Sequence, residues 1–355
     1  MEKKLKVGLI GLGGICCSVH MYGYDMLKDR VEIAAICDIN PDKITSFKKQ
    51  FNCPDMLGFT DYKDLLEVEG LDYVDICTPN YLHSIIAVDA LNKGIHVFCE
   101  KPDAVSVEEA LKMKDAAEKN GRHLMVMRNN RYRNTAKYLK KYIEGGNMGD
   151  IYCGRCGWLR RRGIPGKGGW FTTKEQSGGG PLIDLGVHMI DLAIWLMGNP
   201  TPVAVSGCAY NKFANNELSD SINSSFGEKK ADGIFDVEDL AMGFIKFDNG
   251  ACLQIEFSWA SNVENETVFV ELRGDKSGFN FKDGYITIYG EDNGALVDTK
   301  PRVYDSHTHC YNIEHFVDVL QKGVEPDFTP TQGVNMIKIL EAMYKSAETG
   351  MEVRL

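Results

Sequence analysis

The segment that most constrains the fold is an apolar strand, Leu5–Ile10, that runs directly into Gly11-Leu12-Gly13-Gly14-Ile15-Cys16 and then into a helical pattern reaching to about Lys28. A Gly-x-Gly turn at a strand-to-helix junction lets the main chain approach a pyrophosphate lying on the helix N-terminus. A glycine pair alone is a common pattern. Where a third small residue is expected for close helix–strand packing, the chain has Cys16, whose compact thiol meets the requirement. The next strand, Val31–Cys37, ends in Asp38, where a carboxylate would bind the ribose hydroxyls of NAD. Asp38 would repel a 2′-phosphate, and Ile39, Asn40 and Pro41 supply no arginine to bind one, so NAD is favoured over NADP. The competing reading makes Asp38 the start of a turn, with Asn40 as helix cap and Pro41 as first helical residue. Both readings are compatible.

Strand and helix signals then alternate. Helices are expected over 42–51, 82–91 and 107–119, and strands over 73–77, 95–99 and 123–127. Ser106 and Glu109 form a capping box and Gly121 closes the last of these helices. Such alternation implies a parallel sheet with right-handed crossovers, whose ligands bind at the strands' carboxyl ends. Two clusters fall at those ends: Thr78-Pro79-Asn80-Tyr81-Leu82-His83 and Glu100-Lys101-Pro102. Lys101 is either a surface charge or an ammonium held over a nicotinamide. If buried, its pKa falls and it can exchange a proton near neutrality.

Residues 178–198, GGGPLIDLGVHMIDLAIWLMG, predict a helix of about four turns from Leu182 to Met197. Pro181 suits its first turn, and Gly198 with Pro200 stops it. Its faces are mostly apolar, yet Asp184, His188 and Asp191 recur at i, i+4 and i+7 on one stripe. That stripe is either the solvent edge of an amphipathic helix or the wall of a polar site. Ligand-spaced partners for a metal are not evident, and none is expected.

Together these stretches resemble the Gfo/Idh/MocA oxidoreductases, a family that includes inositol dehydrogenase and glucose-fructose oxidoreductase. The matching elements are GLGGI at 11–15, TPNYLH at 78–83, EKP at 100–102, GGGPLIDLGVHMID at 178–191, and the closing runs YNIEHFVDVLQKG and ILEAMYKSAETGMEV. Their order and spacing cover essentially the whole chain. The resemblance implies an α/β chain: an N-terminal Rossmann dinucleotide-binding domain over 1–127, then a C-terminal α+β domain over 128–355 with an open, mostly antiparallel sheet. That sheet often mediates dimers or tetramers, and the closing helices can pack back on the first domain. It also implies that Lys101, Asp184 and His188 converge beside the nicotinamide, with the lysine and histidine managing a substrate proton and the aspartate positioning substrate. Cofactor contacts are expected from Gly11, Gly13, Gly14, Ile15, Asp38, Thr78, Asn80, His83, Glu100, Lys101 and Trp170.

Asn129, Asn130, Arg131 and Tyr132 follow the last expected Rossmann strand and belong at the domain boundary. A basic, glycine-rich loop, 160–171, precedes the 178–198 helix. It reads either as a lid, with Trp170 shielding the nicotinamide and an arginine such as Arg162 touching substrate, or as an exposed loop kept soluble by its arginines. Arg131, Tyr132, Arg162, Asp184, His188 and His309 are the candidate substrate contacts. Strands are expected over 151–159, 203–209, 240–247, 252–259 and 268–272, with a hairpin turn at Asp248-Asn249-Gly250 and a long polar loop, mobile or partner-contacting, over 211–233.

A net charge of −10 argues against nucleic acid or anionic membrane as partner. No apolar segment approaches the roughly twenty residues of a membrane span. Many of the eleven cysteines lie in apolar strands and read as free thiols in a reducing cytoplasm. Cys153 and Cys156 form a CxxC, but on a strand they point to opposite faces. The expected activity is NAD-dependent oxidation of a secondary ring hydroxyl of a sugar, glycoside or cyclitol by a homodimer or homotetramer. The alternatives are an NAD-recycling glycosidase or lyase working by transient oxidation and elimination, and a non-catalytic NAD-binding sensor.

Overall fold

The computed structural model describes residues 3–216, 218, 227 and 229–355, so part of the loop expected over 211–233 lies outside the described residues. The chain forms two compact units, Met1–Arg128 with His309–Val334, and Asn129–Thr308 with Asn335–Leu355.

The first unit is built on a six-stranded, wholly parallel sheet of order β3-β2-β1-β4-β5-β6. Its strands are β1 (Leu5–Ile10), β2 (Val31–Cys37), β3 (Leu57–Phe59), β4 (Tyr73–Ile76), β5 (His96–Cys99) and β6 (Leu124–Val126). Helices α1 (Met21–Met26), α2 (Pro41–Gln50), α3 (Tyr62–Leu65), α4 (His83–Asn92) and α5 (Val107–Asn120) connect them. Val7, Leu9, Val74, Ile76, Val97 and Phe98 are fully buried, because crossover helices on a parallel sheet remove both faces from water. Asn40 caps α2 by accepting from the Asp42 N–H, Ser106 caps α5 by accepting from the Glu109 N–H, and Gly121 ends α5 in the left-handed region. Strand order reverses between β1 and β4, which opens the ligand crevice of such sheets at the end of β1.

The second unit carries α6 (Asn134–Glu144), α7 (Lys174–Ser177), α8 (Val187–Leu196) and a nine-stranded sheet of order β14-β13-β12-β11-β7-β10-β9-β8-β15. These strands are β7 (Ile151–Leu159), β8 (Pro202–Tyr210), β9 (Leu240–Phe247), β10 (Cys252–Ser258), β11 (Thr267–Gly274), β12 (Gly278–Lys282), β13 (Tyr285–Asp292), β14 (Ala295–Thr299) and β15 (Val353–Arg354). Only β7 and β10 pair in parallel; the other neighbours are antiparallel. One face buries Ala241, Ile245, Leu253, Ile255, Phe257, Val270 and Leu272, while Met242, Phe244, Gln254 and Arg155 point the other way. Strands β12 to β14 extend beyond the five expected in this half, of which 151–159 is β7. Their turns, Asp283-Gly284 and Asn293-Gly294, hold both residues at positive φ, the two-residue hairpin geometry that these dipeptides favour.

Two closing helices follow, α9 (Thr308–Lys322) and α10 (Pro330–Thr349). Phe316 of α9 meets the Tyr73 ring edge-on at 5.3 Å, and Arg30 pairs with Asp318 at 2.5 Å, which anchors α9 to the first unit.

One expectation is corrected. The helical run Lys174–Leu196 has the length and apolar composition of a membrane span, but most of it is buried inside the protein, as a core helix is.

Candidate active site

The glycine turn is dictated by close packing. Gly11 has φ +93°, and a Cβ there would lie 2.6 Å from the Cys77 carbonyl oxygen, so only glycine fits between the ends of β1 and β4. Gly13 and Gly14 have no heavy atom within 4 Å of their would-be Cβ positions, which leaves main chain open to a ligand. Ile15 and a π-helical turn, Cys16–His20, continue into α1. Asp38 at the end of β2 accepts from the Leu12 and Asn40 N–H groups, each at 2.9 Å. The carboxylate thus ties the glycine turn to the second strand and is held rigidly where a ribose diol would meet it. At the end of β4, Thr78 Oγ1 is buried with no hydrogen-bond partner among the described residues. An open glycine main chain, a fixed carboxylate and an unsatisfied hydroxyl fit a dinucleotide.

Two residues expected to touch that dinucleotide are turned inward instead. His83 is fully buried, its Nδ1 2.8 Å from the Pro102 carbonyl oxygen and its Nε2 2.9 Å from the Thr78 carbonyl oxygen. Burial pushes its pKa below the usual histidine value, against the pull of those two carbonyls. It cross-links the strand end at 78 to the loop at 102. Glu100 is buried too: Oε1 faces His20 Nε2 at 2.9 Å and Oε2 accepts from the Lys101 N–H at 3.1 Å. Burial alone would raise its pKa, but the hydrogen bond and charge of His20, helped by His309 and Lys101, hold it down at about 2. Asn80 is buried at the start of the 3-10 turn Asn80–Leu82, and Lys101 is half-exposed.

In the second unit, the expected four-turn helix opens instead with a π-helical turn, Leu182–Gly186, before α8. Glu238 holds that opening: its carboxylate accepts from the Gly180 N–H at 2.9 Å, the Leu182 N–H at 3.1 Å and the Tyr344 hydroxyl at 2.9 Å. A Cβ at Gly180 would sit 2.1 Å from the Glu238 carbonyl oxygen, so the glycine before the helix is required by close approach. The polar stripe is not a solvent edge. Asp191 is buried and forms a two-toothed pair with Arg131, Oδ2 to Nε at 2.8 Å and Oδ1 to the second guanidinium nitrogen at 2.7 Å. Asp184 and His188 alone on the stripe are part-exposed. Asp184 Oδ2 accepts from Trp259 Nε1 at 3.0 Å, and the His188 ring lies 6.1 Å from that of Trp158.

Residues 5–128 match the family described as "Oxidoreductase family, NAD-binding Rossmann fold", and residues 140–355 match its "C-terminal alpha/beta domain". The D-glucoside 3-dehydrogenase of Escherichia coli (strain K12) is 32% identical over 353 residues, covering 99% of this chain and 97% of its own. The levoglucosan dehydrogenase of Pseudarthrobacter phenanthrenivorans is 29% identical over 290 residues, 79% of this chain and 74% of its own. A solved levoglucosan dehydrogenase in complex with NADH shares the fold, with a TM-score of 0.86 at 24% identity over 99% of both chains. The chain belongs to the Gfo/Idh/MocA oxidoreductase family.

Within this Gfo/Idh/MocA oxidoreductase, several candidate substrate contacts are engaged by other protein groups. Arg131 is 2% exposed and its guanidinium pairs with Asp191, which ties it to α8. Tyr132 is buried beside it, with the Lys137 ammonium 5.3 Å from its ring centre. Arg162 donates to the Ser261 carbonyl at 2.9 Å and to Asn262 Oδ1 at 3.0 Å, and lies over the Phe213 ring. Arg160 and Arg161 donate to the carbonyls of Gly163 and Glu264. All three arginines are thus spent on neighbouring turns. The loop after them is not an exposed one: residues 163–166 are buried, and Gly168, at φ +79°, passes so close to Lys230 that a Cβ would lie 2.0 Å from its carbonyl oxygen. Trp170 stacks on Phe171 at 3.8 Å. His309 belongs to the first unit, near enough to Glu100 to help lower its pKa. Sequence reasoning passed over His20, Glu238 and Trp259. The signal available for His20 was a lone histidine in the turn after the glycines; Glu238 and Trp259 gave none.

Proposed function

We propose that this chain is an NAD-dependent dehydrogenase that oxidises a secondary ring hydroxyl of a sugar, glycoside or cyclitol. Lys101 and His188 handle the hydroxyl proton and Asp184 orients the sugar. The observation that carries the reading is on the Leu182–Leu196 stretch: along a stripe in a buried helix, Asp184 and His188 are the polar side chains left part-exposed, and Asp184 is pinned by Trp259. A carboxylate held by an indole N–H keeps lone pairs for sugar hydroxyls, and an imidazole one turn on can accept a proton. NAD, when bound, accepts the hydride from the carbon whose hydroxyl loses that proton, leaving a ketone. Asp38, already fixed by two N–H groups, supports NAD over NADP because a 2′-phosphate beside it would meet a carboxylate. The sugar class is supported by the names of the relatives, which are a D-glucoside and a levoglucosan dehydrogenase.

The same reading takes the protein as a cytoplasmic homo-oligomer. All eleven cysteines are free thiols, as a reducing compartment keeps them. The outward sheet face exposes Tyr210, Met242 and Phe244, apolar side chains that a second copy would cover. Purified protein should therefore sediment as a dimer or tetramer, and a monomer would refute that part. Activity is tested with NAD and a panel of methyl glucosides, levoglucosan and inositols. NADH formation with at least one member is expected, and none with any of them, at full NAD binding, would favour a non-catalytic sensor.

A further inference from the structure

The first unit contains a buried charge cluster that the dinucleotide reading does not use. His20, in the turn between the glycines and α1, is fully buried. Its Nδ1 lies 2.7 Å from Asp75 Oδ2 and its Nε2 2.9 Å from Glu100 Oε1. Both partners are carboxylate oxygens, so each ring nitrogen carries a hydrogen and the ring is an imidazolium. Burial opposes that charge, but the two carboxylates outweigh it and raise the pKa well above the ordinary histidine value. Tyr24 donates to the same Asp75 oxygen at 2.8 Å, and Cys77 Sγ lies 3.5 Å from Nδ1. Tyr73 of β4, Cys16 of the same turn and Cys310 of α9 are further titratable groups that feel the His20 charge.

Two other readings are weaker. His20, Asp75 and Cys77 each bring a ligand atom within 4.8 Å of the others, as a metal site would. A metal would have to displace a ring nitrogen from a charge-assisted bond at 2.7 Å, and burial pushes the Cys77 thiol upward, away from the thiolate a metal needs. A purely stabilising role is also poorly served, since apolar residues of similar volume generally stabilise a core as well as a buried ion pair does. What such a cluster supplies is direction. Glu100 is held at both oxygens, one by His20 and the other by the main-chain N–H of Lys101, so the imidazolium fixes the chain at the residue that bears the ammonium.

We propose that His20 is a positioning residue for Lys101, acting through Glu100 from inside the sheet. Asp75 holds the far ring nitrogen and sets the ring's orientation. The inference rests on the assignment of Lys101 to proton transfer. It adds that the glycine-turn helix, through His20, aligns the lysine at the end of β5.

The test compares His20→Gln and Glu100→Gln with the unaltered protein in kcat, KM, the pH profile of kcat, and NAD affinity by fluorescence titration, with methyl β-D-glucopyranoside and levoglucosan as probe substrates. His20→Gln should lower kcat by about tenfold or more, the scale of a misplaced catalytic group. NAD affinity should stay within about threefold, or roughly 0.7 kcal/mol. Without the His20 cation, burial pushes the Glu100 carboxyl up, so His20→Gln should move the pH limb of kcat in the same direction as Glu100→Gln does. Removing the Glu100 charge moves it down. A merely structural role moves neither limb. If His20→Gln fails to fold, Glu100→Gln and the ring-nitrogen NMR of unaltered, cofactor-free protein decide: two N–H hydrogens on His20 at neutral pH and a lowered limb support the proposal. A folded His20→Gln with unchanged kcat and pH profile, or a neutral His20 ring, overturns it. Lys101→Met separates the two claims: full turnover there overturns the lysine assignment, whereas loss there with an unaffected His20→Gln overturns only the positioning.

Discussion

Asp191→Ala should destabilise the second unit severely while leaving substrate affinity nearly unchanged. Asp191 and Arg131 are 5% and 2% exposed and share two hydrogen bonds of 2.7 and 2.8 Å. Deleting the carboxylate strands a guanidinium in the core, at a cost of about 3–5 kcal/mol. All four tryptophans, Trp158, Trp170, Trp195 and Trp259, lie in the second unit, so their fluorescence follows its unfolding. With a urea dependence of about 1–3 kcal/mol per molar, the midpoint should fall by at least about 1 M. Replacing both partners, as Arg131→Met with Asp191→Leu, should restore most of the loss, because no uncompensated charge remains. KM for sugar in the folded double variant should stay within about threefold of the unaltered protein. A cost below about 1 kcal/mol for the single variant would place the pair in solvent, and a large KM rise in the double variant would return Arg131 to the substrate site.

Gly11→Ala should weaken NAD binding by about tenfold or more by isothermal titration, since the new methyl meets the Cys77 carbonyl at 2.6 Å in a backbone conformation that L-residues avoid. Unchanged affinity would mean that the turn does not cradle the cofactor. Trp259→Phe keeps the ring's bulk but removes the N–H to Asp184, so KM for sugar should rise severalfold with KM for NAD unmoved. A shift in both constants would point to general loosening. Glu238→Gln should cost about 1–3 kcal/mol in urea unfolding, because an amide cannot accept from the Gly180 and Leu182 N–H groups at both positions. Glu100 is held below its ordinary 4.5, at about 2, so its contribution to stability is complete above pH 4.5 and is lost as the pH falls towards 2. Acid unfolding followed by circular dichroism should therefore be less steep over that window in Glu100→Gln, and an unchanged slope would mean that Glu100 is not paired.

The parallel sheet was readable because its signals are local. A strand feeding a Gly-x-Gly turn, the Asn40-Pro41 cap and the Ser106/Glu109 box each mark a boundary within a few residues. The hairpins of β12 to β14 were equally local, in their Asp-Gly and Asn-Gly dipeptides and in the alternation of Phe279 with Phe281 and of Ile286 with Ile288; only β14, exposed along its length, lacks such a pattern. The site was legible as motifs and not as contacts. Spacing put Asp184, His188 and Asp191 on one stripe, but only the fold distinguishes the two part-exposed members from Asp191, which meets an arginine 60 positions earlier. In the same way, no local pattern sends Glu100 inward to a histidine 80 positions before it, or brings Trp259 to Asp184 across 75 residues. Long-range pairings of single polar side chains leave no period for a sequence to display.

The central claim is tested most directly by one assay: unaltered protein and Lys101→Met, each with NAD and the glucoside panel, read at once for NADH and for released aglycone. NADH equal to sugar consumed, no aglycone, and loss of turnover in Lys101→Met at retained NAD binding are the predicted results. Aglycone release without net NADH, or full turnover by Lys101→Met, would contradict the account.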